Sequence, residues 1–247
     1  EMCIRDRVGG IEGVATAKGE LVEALPPGGT AILNADDDRV AAMASRTGAD
    51  VITFGWAGDV RPADVELDEN ARARFVVHSP WGRAHVTLPV PGMHMVSNAV
   101  AALAVAGVVG VDLDEAAASL AAASVSEMRM EISTAGSGAT VVNDAYNANP
   151  TSMAAALDAL AVMGAARRIA VVGTMAEIDD PAPAHREIAR RAAELGIELV
   201  AVGTDLYGVG PAEDPLAAIG PVGEGDVVLV KASRSVGLER IVDDLLT

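Results

Sequence analysis

Four short apolar runs in the second half of the chain, 140–142, 169–172, 199–202 and 227–230, are separated by segments with helical character near 152–163, 184–195 and 236–246. The interval from run to run is roughly 30 residues, the length of one βαβ unit. Each run is continuously apolar instead of alternating, the pattern of a strand covered on both faces. These features restrict the second half to an open, mainly parallel sheet with helices on both sides.

The first half begins in the same way and then changes. Residues 11–24 predict a helix, closed by Pro26-Pro27-Gly28-Gly29. A strand over 30–33, a helix over 39–46 and a strand over 51–55 follow. Between 64 and 88 the strands alternate in polarity. Segments 74–78 and 84–88 flank Ser79-Pro80-Trp81-Gly82, which reads as an antiparallel hairpin. Helices are expected over 97–108 and 113–123, and a flexible small-residue junction near 131–137, which contains TAGSG. The opening EMCIRDR fits neither period. It resembles read-through of adapter DNA at the edge of an assembled fragment, so residues 1–8 are set aside and the chain is expected to be a piece of a longer protein.

Composition excludes several function classes. The net charge of −17 argues against sequence-independent binding to nucleic acid or to an anionic membrane, both of which need Lys/Arg patches. The mild run 99–111 is too short to span a bilayer. The single cysteine, Cys3, cannot build an intrachain disulfide framework and points to a reducing, cytoplasmic setting. His78, His85, His94 and His185 are dispersed, and no Cys/His cluster suggests zinc. The chain contains neither G-x-x-x-x-G-K-[ST] nor a G-x-G-x-x-G after a strand. Only two of its 18 basic residues are lysines, Lys18 and Lys231.

The chemistry concentrates in TVVNDAYNANPTSM, residues 140–153. A β-branched strand stops at Asn143-Asp144, a polar loop runs to Pro150, and Thr151-Ser152 open a helix. Ligands of open α/β sheets bind outside the carboxyl ends of strands, where this loop lies. Three Asn, one Asp and one Tyr in seven residues either cap turns or hold a ligand.

The segment DAYNANPTSM resembles the D-x-Y-N-A-N-P-x-S-M signature of the Mur ligases, and further segments agree in order along nearly the whole chain. GVATAKGELVEALPPGGTAILNADD resembles the middle of the family's ATPase domain. PGMHMVSNAVAALAVAG resembles G-x-H-N-x-x-N-x-x-A-A-x-A-x-A, with Met95 in place of the first Asn. MRMEI resembles G-R-M-E-x, with Met128 for Gly. VVGTMAEI resembles V-x-G-D-M-x-E-L-G, with Thr174 for the acid, and Glu177 and His185 match in place. VLVKASRSVGLERIVDDL resembles V-L-V-K-G-S-R-x-x-x-x-E-x-x-V, with Ala232 for Gly.

The resemblance implies an α/β fold. Residues 9–130 would be the C-terminal part of a central ATP-binding domain with an antiparallel hairpin region, and 131–247 a Rossmann-like C-terminal domain. It implies an ATP-dependent amide ligase of peptidoglycan precursor synthesis, using ATP and Mg²⁺. The NAN-P loop favours the branch that joins D-alanyl-D-alanine to UDP-N-acetylmuramoyl-tripeptide through an acyl phosphate. The protein would be a cytoplasmic monomer that inserts in no membrane and binds no nucleic acid.

Residue by residue, Lys18 would be carbamylated and help hold Mg²⁺, since added CO₂ turns the amine into a hard oxygen ligand; otherwise it is a surface lysine. Asn98 would hydrogen-bond adenine, or else cap its helix. Arg129 would contact the γ-phosphate. Asp144 would reach the ribose, and Tyr146 and Asn147 would line the same cleft. Asn149, Lys231, Ser233 and Arg234 would face the substrate, with the last three taking the dipeptide carboxylate or a phosphate, or capping the last helix. The family's P-loop, catalytic Glu and magnesium-binding His would lie before Gly9, so this chain alone is expected to lack ligase activity. The competing readings are another Mur or folylpolyglutamate-type ligase and a non-catalytic nucleotide-binding module.

Overall fold

The structure is a computed structural model and describes residues 10–124, 126–176, 178 and 180–247. Contacts divide it into two compact units. One comprises the described residues through Leu67, with Ala73–Pro89 and His94–Ala123. The other comprises Asp68–Arg72, Val90–Met93 and Ser124–Thr247.

In the first unit, helix α1 (Gly10–Glu23) precedes strand β1 (Thr30–Asn34), helix α2 (Asp38–Ala42) with a 3₁₀ turn (Met43–Arg46), and strand β2 (Asp50–Phe54). β1 and β2 pair in parallel. The acids after β1 fix the corner. Asp37 caps α2, and Asp36 accepts the Trp56 amide at 2.9 Å and the Ala57 amide at 3.2 Å. Strands β3 (Arg61–Leu67), β4 (Arg72–Ser79) and β5 (Gly82–Pro91) form a second sheet in that order. Only Pro80-Trp81 join β4 to β5, and hydrogen-bonded neighbours joined by two residues are necessarily antiparallel. The hairpin expectation therefore holds, with a tighter turn. Helix α3 (His94–Val108) packs on β1, β2 and β3, and α4 (Leu113–Ala121) packs on α3.

In the second unit, strands β6 (Glu131–Thr134), β7 (Thr140–Asn143), β8 (Arg167–Val172), β9 (Glu198–Ala201) and β10 (Asp226–Lys231) form one sheet in the order β6-β7-β10-β8-β9. All pairs are parallel except β6–β7. Residues 131–134, expected as part of a flexible stretch, are an antiparallel edge strand, and the small residues after them make its turn into β7.

The helices are α5 (Pro150–Val162), α6 (Pro181–Glu194), the short α7 (Pro215–Ile219) and α8 (Glu239–Leu246). The sequence reading had no counterpart for α7. Strand residues sort by parity, as period two requires. Val142, Ala170, Val172, Val227 and Leu229 pack with Met153, Leu157, Leu160 and Ile188 of α5 and α6. Val141, Ile169, Val171, Val228 and Val230 pack with Ile219, Ile241 and Val242 of α7 and α8. The fully buried Met153, Leu157 and Leu160 each contribute about 1.5–3 kcal/mol by leaving water.

Candidate functional site

The connection after β7 runs through α5 on one face of the sheet, whereas the chain leaving β10 reaches α8 on the other. The two neighbouring strands β7 and β10 thus send their loops apart, which opens a crevice at their carboxyl ends. Most of the expected site residues converge there.

Asp144 is the first residue after β7. Its amide continues the strand ladder by donating to the Val230 carbonyl at 2.9 Å. Its Oδ1 accepts the Met130 amide at 3.1 Å, and its Oδ2 lies 2.6 Å from Lys231 Nζ. The side chains are 13% and 3% exposed, so this is an almost dry ion pair. Lys231 Nζ also donates to the Asn147 carbonyl at 2.8 Å. Two residues along, on the same side of the extended chain, Ser233 Oγ accepts the Ala176 amide at 2.9 Å and donates to the Ala148 carbonyl at 3.4 Å. The ends of β7, β8 and β10 are therefore stitched together by two side chains of one segment.

The rest of the polar loop divides its labour. Asn149 caps α5: it accepts the Ser152 amide at 2.9 Å, while Ser152 Oγ accepts the Asn149 amide at 3.1 Å. Asn143 accepts the Ala145 amide at 3.3 Å, and Asn147 accepts the Ala148 amide at 2.8 Å. Tyr146 points outward, 44% exposed, and carries the Arg129 guanidinium over its ring at 4.1 Å from the centroid. Both Met128 and Met130 have left-handed backbones, φ 60° and 52°, so the chain bends sharply around Arg129. Met128 stands where the family pattern has glycine, the residue that adopts this conformation without strain. Exposed Arg234 donates to Met128 Sδ at 2.7 Å and lies 3.9 Å from Glu239.

Behind the crevice, the loop after β8 is held from below by His185 and Tyr207. His185 is fully buried. Its Nδ1 contacts the Pro181 carbonyl at 2.6 Å and Nε2 accepts the Met175 amide at 3.0 Å, which assigns the neutral Nδ1–H tautomer. Burial holds its pKa below the ordinary value, against the opposing pull of the Pro181 carbonyl. The Tyr207 ring meets His185 edge-on at 4.8 Å, and its hydroxyl donates to the Gly173 carbonyl at 2.7 Å. Burial raises the Tyr207 pKa, so the hydroxyl keeps its proton. Sequence reasoning missed Tyr207. The available signal was one of only two tyrosines in a chain poor in aromatics, just beyond a strand of the same sheet. Glu177 lies outside the described residues.

Lys18 and Asn98 belong to the first unit. Lys18 is exposed on α1. Asn98 is exposed in α3, with Nδ2 3.6 Å from Met95 Sδ. The helix begins at His94, four residues earlier, so the capping alternative for Asn98 does not hold. Among the described residues no group of three or more His, Cys, Asp or Glu is arranged to hold a metal ion. No helix among them is long and apolar enough to cross a membrane.

Comparison with known proteins gives a consistent result. Residues 5–106 match the Mur ligase middle domain, and residues 128–234 match the Mur ligase, glutamate ligase domain. The UDP-N-acetylmuramoyl-tripeptide--D-alanyl-D-alanine ligase of Mycobacterium tuberculosis is 42% identical over 279 residues, covering 96% of this chain and 55% of that one. The Escherichia coli enzyme of the same name is 32% identical, with 95% and 56% covered. A crystal structure of MurF from Acinetobacter baumannii superposes with a TM-score of 0.85 at 30% identity, covering 97% of this chain and 56% of that one. The chain spans about half the length of the curated relatives it matches. With both domain matches in chain order and 42% identity across 96% of its length, this chain belongs to the Mur ligase family.

Proposed function

We propose that the whole protein joins D-alanyl-D-alanine to UDP-N-acetylmuramoyl-tripeptide at the expense of ATP, in the cytoplasm. The observation that carries this reading is the crevice at β7 and β10, where the family's loop signature, an exposed arginine and a buried Lys–Asp pair meet. The names of the relatives supply the substrates.

In the reaction proposed, the tripeptide's terminal carboxylate oxygen attacks the γ-phosphorus of ATP and ADP leaves, giving an acyl phosphate. The dipeptide amine then attacks the acyl carbon, loses a proton, and the tetrahedral intermediate expels phosphate. Such a reaction is accelerated mainly by positioning and by positive charge around the phosphoryl group. Arg129 is fit for that charge: its guanidinium is exposed, cationic, planar and parked on Tyr146. In the first unit, Asn98 is exposed for an amide contact to adenine; in the second, the loop 143–149 is the part we assign to the ribose. Arg234 is the exposed cation for an anionic group of the substrate, and Asn149 sets the loop's geometry as a helix cap. The cation Mg²⁺ takes one or two protein oxygens together with phosphates. Exposed Lys18 would supply one of these on carbamylation, and the Mg²⁺ it helps hold would neutralise phosphate charge.

The test has two arms. Titration of the chain with ADP by calorimetry should give binding that Asp144→Ala weakens sharply. The whole protein, given ATP, the tripeptide precursor and D-alanyl-D-alanine, should release phosphate and form the amide. A preference for a single amino acid or for glutamate would replace this reading with another ligase of the superfamily.

A further inference from the structure

We propose that Lys231 is a positioning residue that locks the loop after β7 into its binding shape and touches neither the nucleotide nor the peptide substrate. This rests on the reading of that loop as a nucleotide-binding wall.

Burial excludes the direct role. The residue is 2% exposed, and its ammonium is committed to Asp144 Oδ2 at 2.6 Å and the Asn147 carbonyl at 2.8 Å. An incoming carboxylate or phosphate would have to displace the Asp144 carboxylate, itself largely dehydrated, from its ammonium. What the lysine does instead follows from where its two bonds end. One fixes the side chain that opens the loop. The other fixes the backbone three residues on, just past Tyr146, which carries Arg129. Ser233, on the same segment, holds the next carbonyl, that of Ala148. Lysine and serine thus pin three points of the loop between Asp144 and Ala148 to the end of the central strand. The second rivet is neutral, so the charge of the first serves Asp144 specifically. By neutralising that carboxylate, Lys231 also lets it lie beside polyanionic phosphate without repelling it.

The experiment compares four forms of the chain: the unaltered protein, Lys231→Met, Ser233→Ala, and the double variant Lys231→Met with Asp144→Asn. Each is read by backbone hydrogen exchange and by ADP titration. Lys231→Met should speed exchange of the Asp144 and Tyr146 amides at least tenfold, with α5 and β8 little changed, and weaken ADP binding at least tenfold. Ser233→Ala should do the same to a smaller degree. The double variant should recover thermal stability, because no unpaired charge remains, without recovering ADP affinity. Unchanged exchange at Asp144 and Tyr146 in Lys231→Met overturns the proposal. So does a loss of ADP affinity with exchange unaltered, the mark of a lysine that touches the ligand. If Lys231→Met does not fold, exchange in Ser233→Ala and in the double variant decides. If the unaltered chain binds no ADP, the nucleotide reading of the loop fails, and the exchange data still judge the lock on their own.

Discussion

Gly173→Ala tests how closely the ends of β8 and β10 approach. A Cβ on Gly173 would lie 2.8 Å from the Ala232 Cβ, 3.0 Å from Val236 Cγ1 and 3.4 Å from Leu238 Cδ1. Ala232 and Leu238 are fully buried, and the Ala232 methyl is fixed to the backbone, so it cannot rotate away. The two strand ends must separate by several tenths of an ångström. That separation strains the Gly173 amide bond to the Lys231 carbonyl at 3.0 Å, the Ser233 amide bond to the Thr174 carbonyl at 3.1 Å, and the Tyr207 hydroxyl bond. Overpacking of this kind costs about 1–3 kcal/mol. For a chain of this size, each kcal/mol lowers Tm by roughly 2–4 °C. Thermal unfolding followed by circular dichroism should therefore show a fall of roughly 2–12 °C. Removing the opposing methyl separates this clash from a general loss of fit. Gly173→Ala in an Ala232→Gly background should cost less than in the unaltered chain, with a coupling of about 1 kcal/mol. Strictly additive costs, or a Tm that does not fall, would refute the packing argument.

Three further outcomes are expected. Met128→Gly relieves a left-handed backbone and should stabilise the chain by about 1 kcal/mol, seen as a higher urea midpoint, provided the lost Arg234 contact is weak. His185 has a folded pKa below its unfolded value near 6.5, so the unfolded chain takes up the proton first; its stabilising contribution is complete above pH ~6.5 and declines as pH falls below it. Urea unfolding from pH 7.5 to 5 should show this slope in the unaltered protein and a flatter one in His185→Gln. Tyr146→Leu removes the ring beneath Arg129, worth about 0.5–1 kcal/mol at an exposed site, and should weaken ATP use by the whole protein a few-fold while Tyr146→Phe retains it.

The second unit was the more legible of the two, and the reason is physical. Strands covered on both faces must be continuous apolar runs, so β7 to β10 announce themselves. Strand β6 did not, because EIST is a partly exposed edge with polar residues and sits beside small ones that read as a hinge. Helix α7 is a single turn and too short to show a period. Helix α3 begins at His94, three residues before the expected start at 97. At the site, the composition of the 143–149 loop marked it correctly as unusual. Its inner wiring was hidden: Asn149 serves the helix, and a lysine at a strand end normally reads as exposed. Burial of Lys231 depends on a partner 87 residues away, a distance no local pattern reports.

The strand order also sets a timetable. β10 lies in the middle of the sheet yet is made after the other four strands, so β7 and β8 each wait with one unpaired edge until it arrives. Asp144 waits as well, without its cation, for the 87 residues that separate it from Lys231, or roughly 4–17 s at ordinary rates of synthesis. The sheet closes by insertion, and the crevice is completed in the same event that completes the core. A nascent chain stalled before β10 would present two sticky edges and no binding loop, a good client for a chaperone and a poor one for a nucleotide.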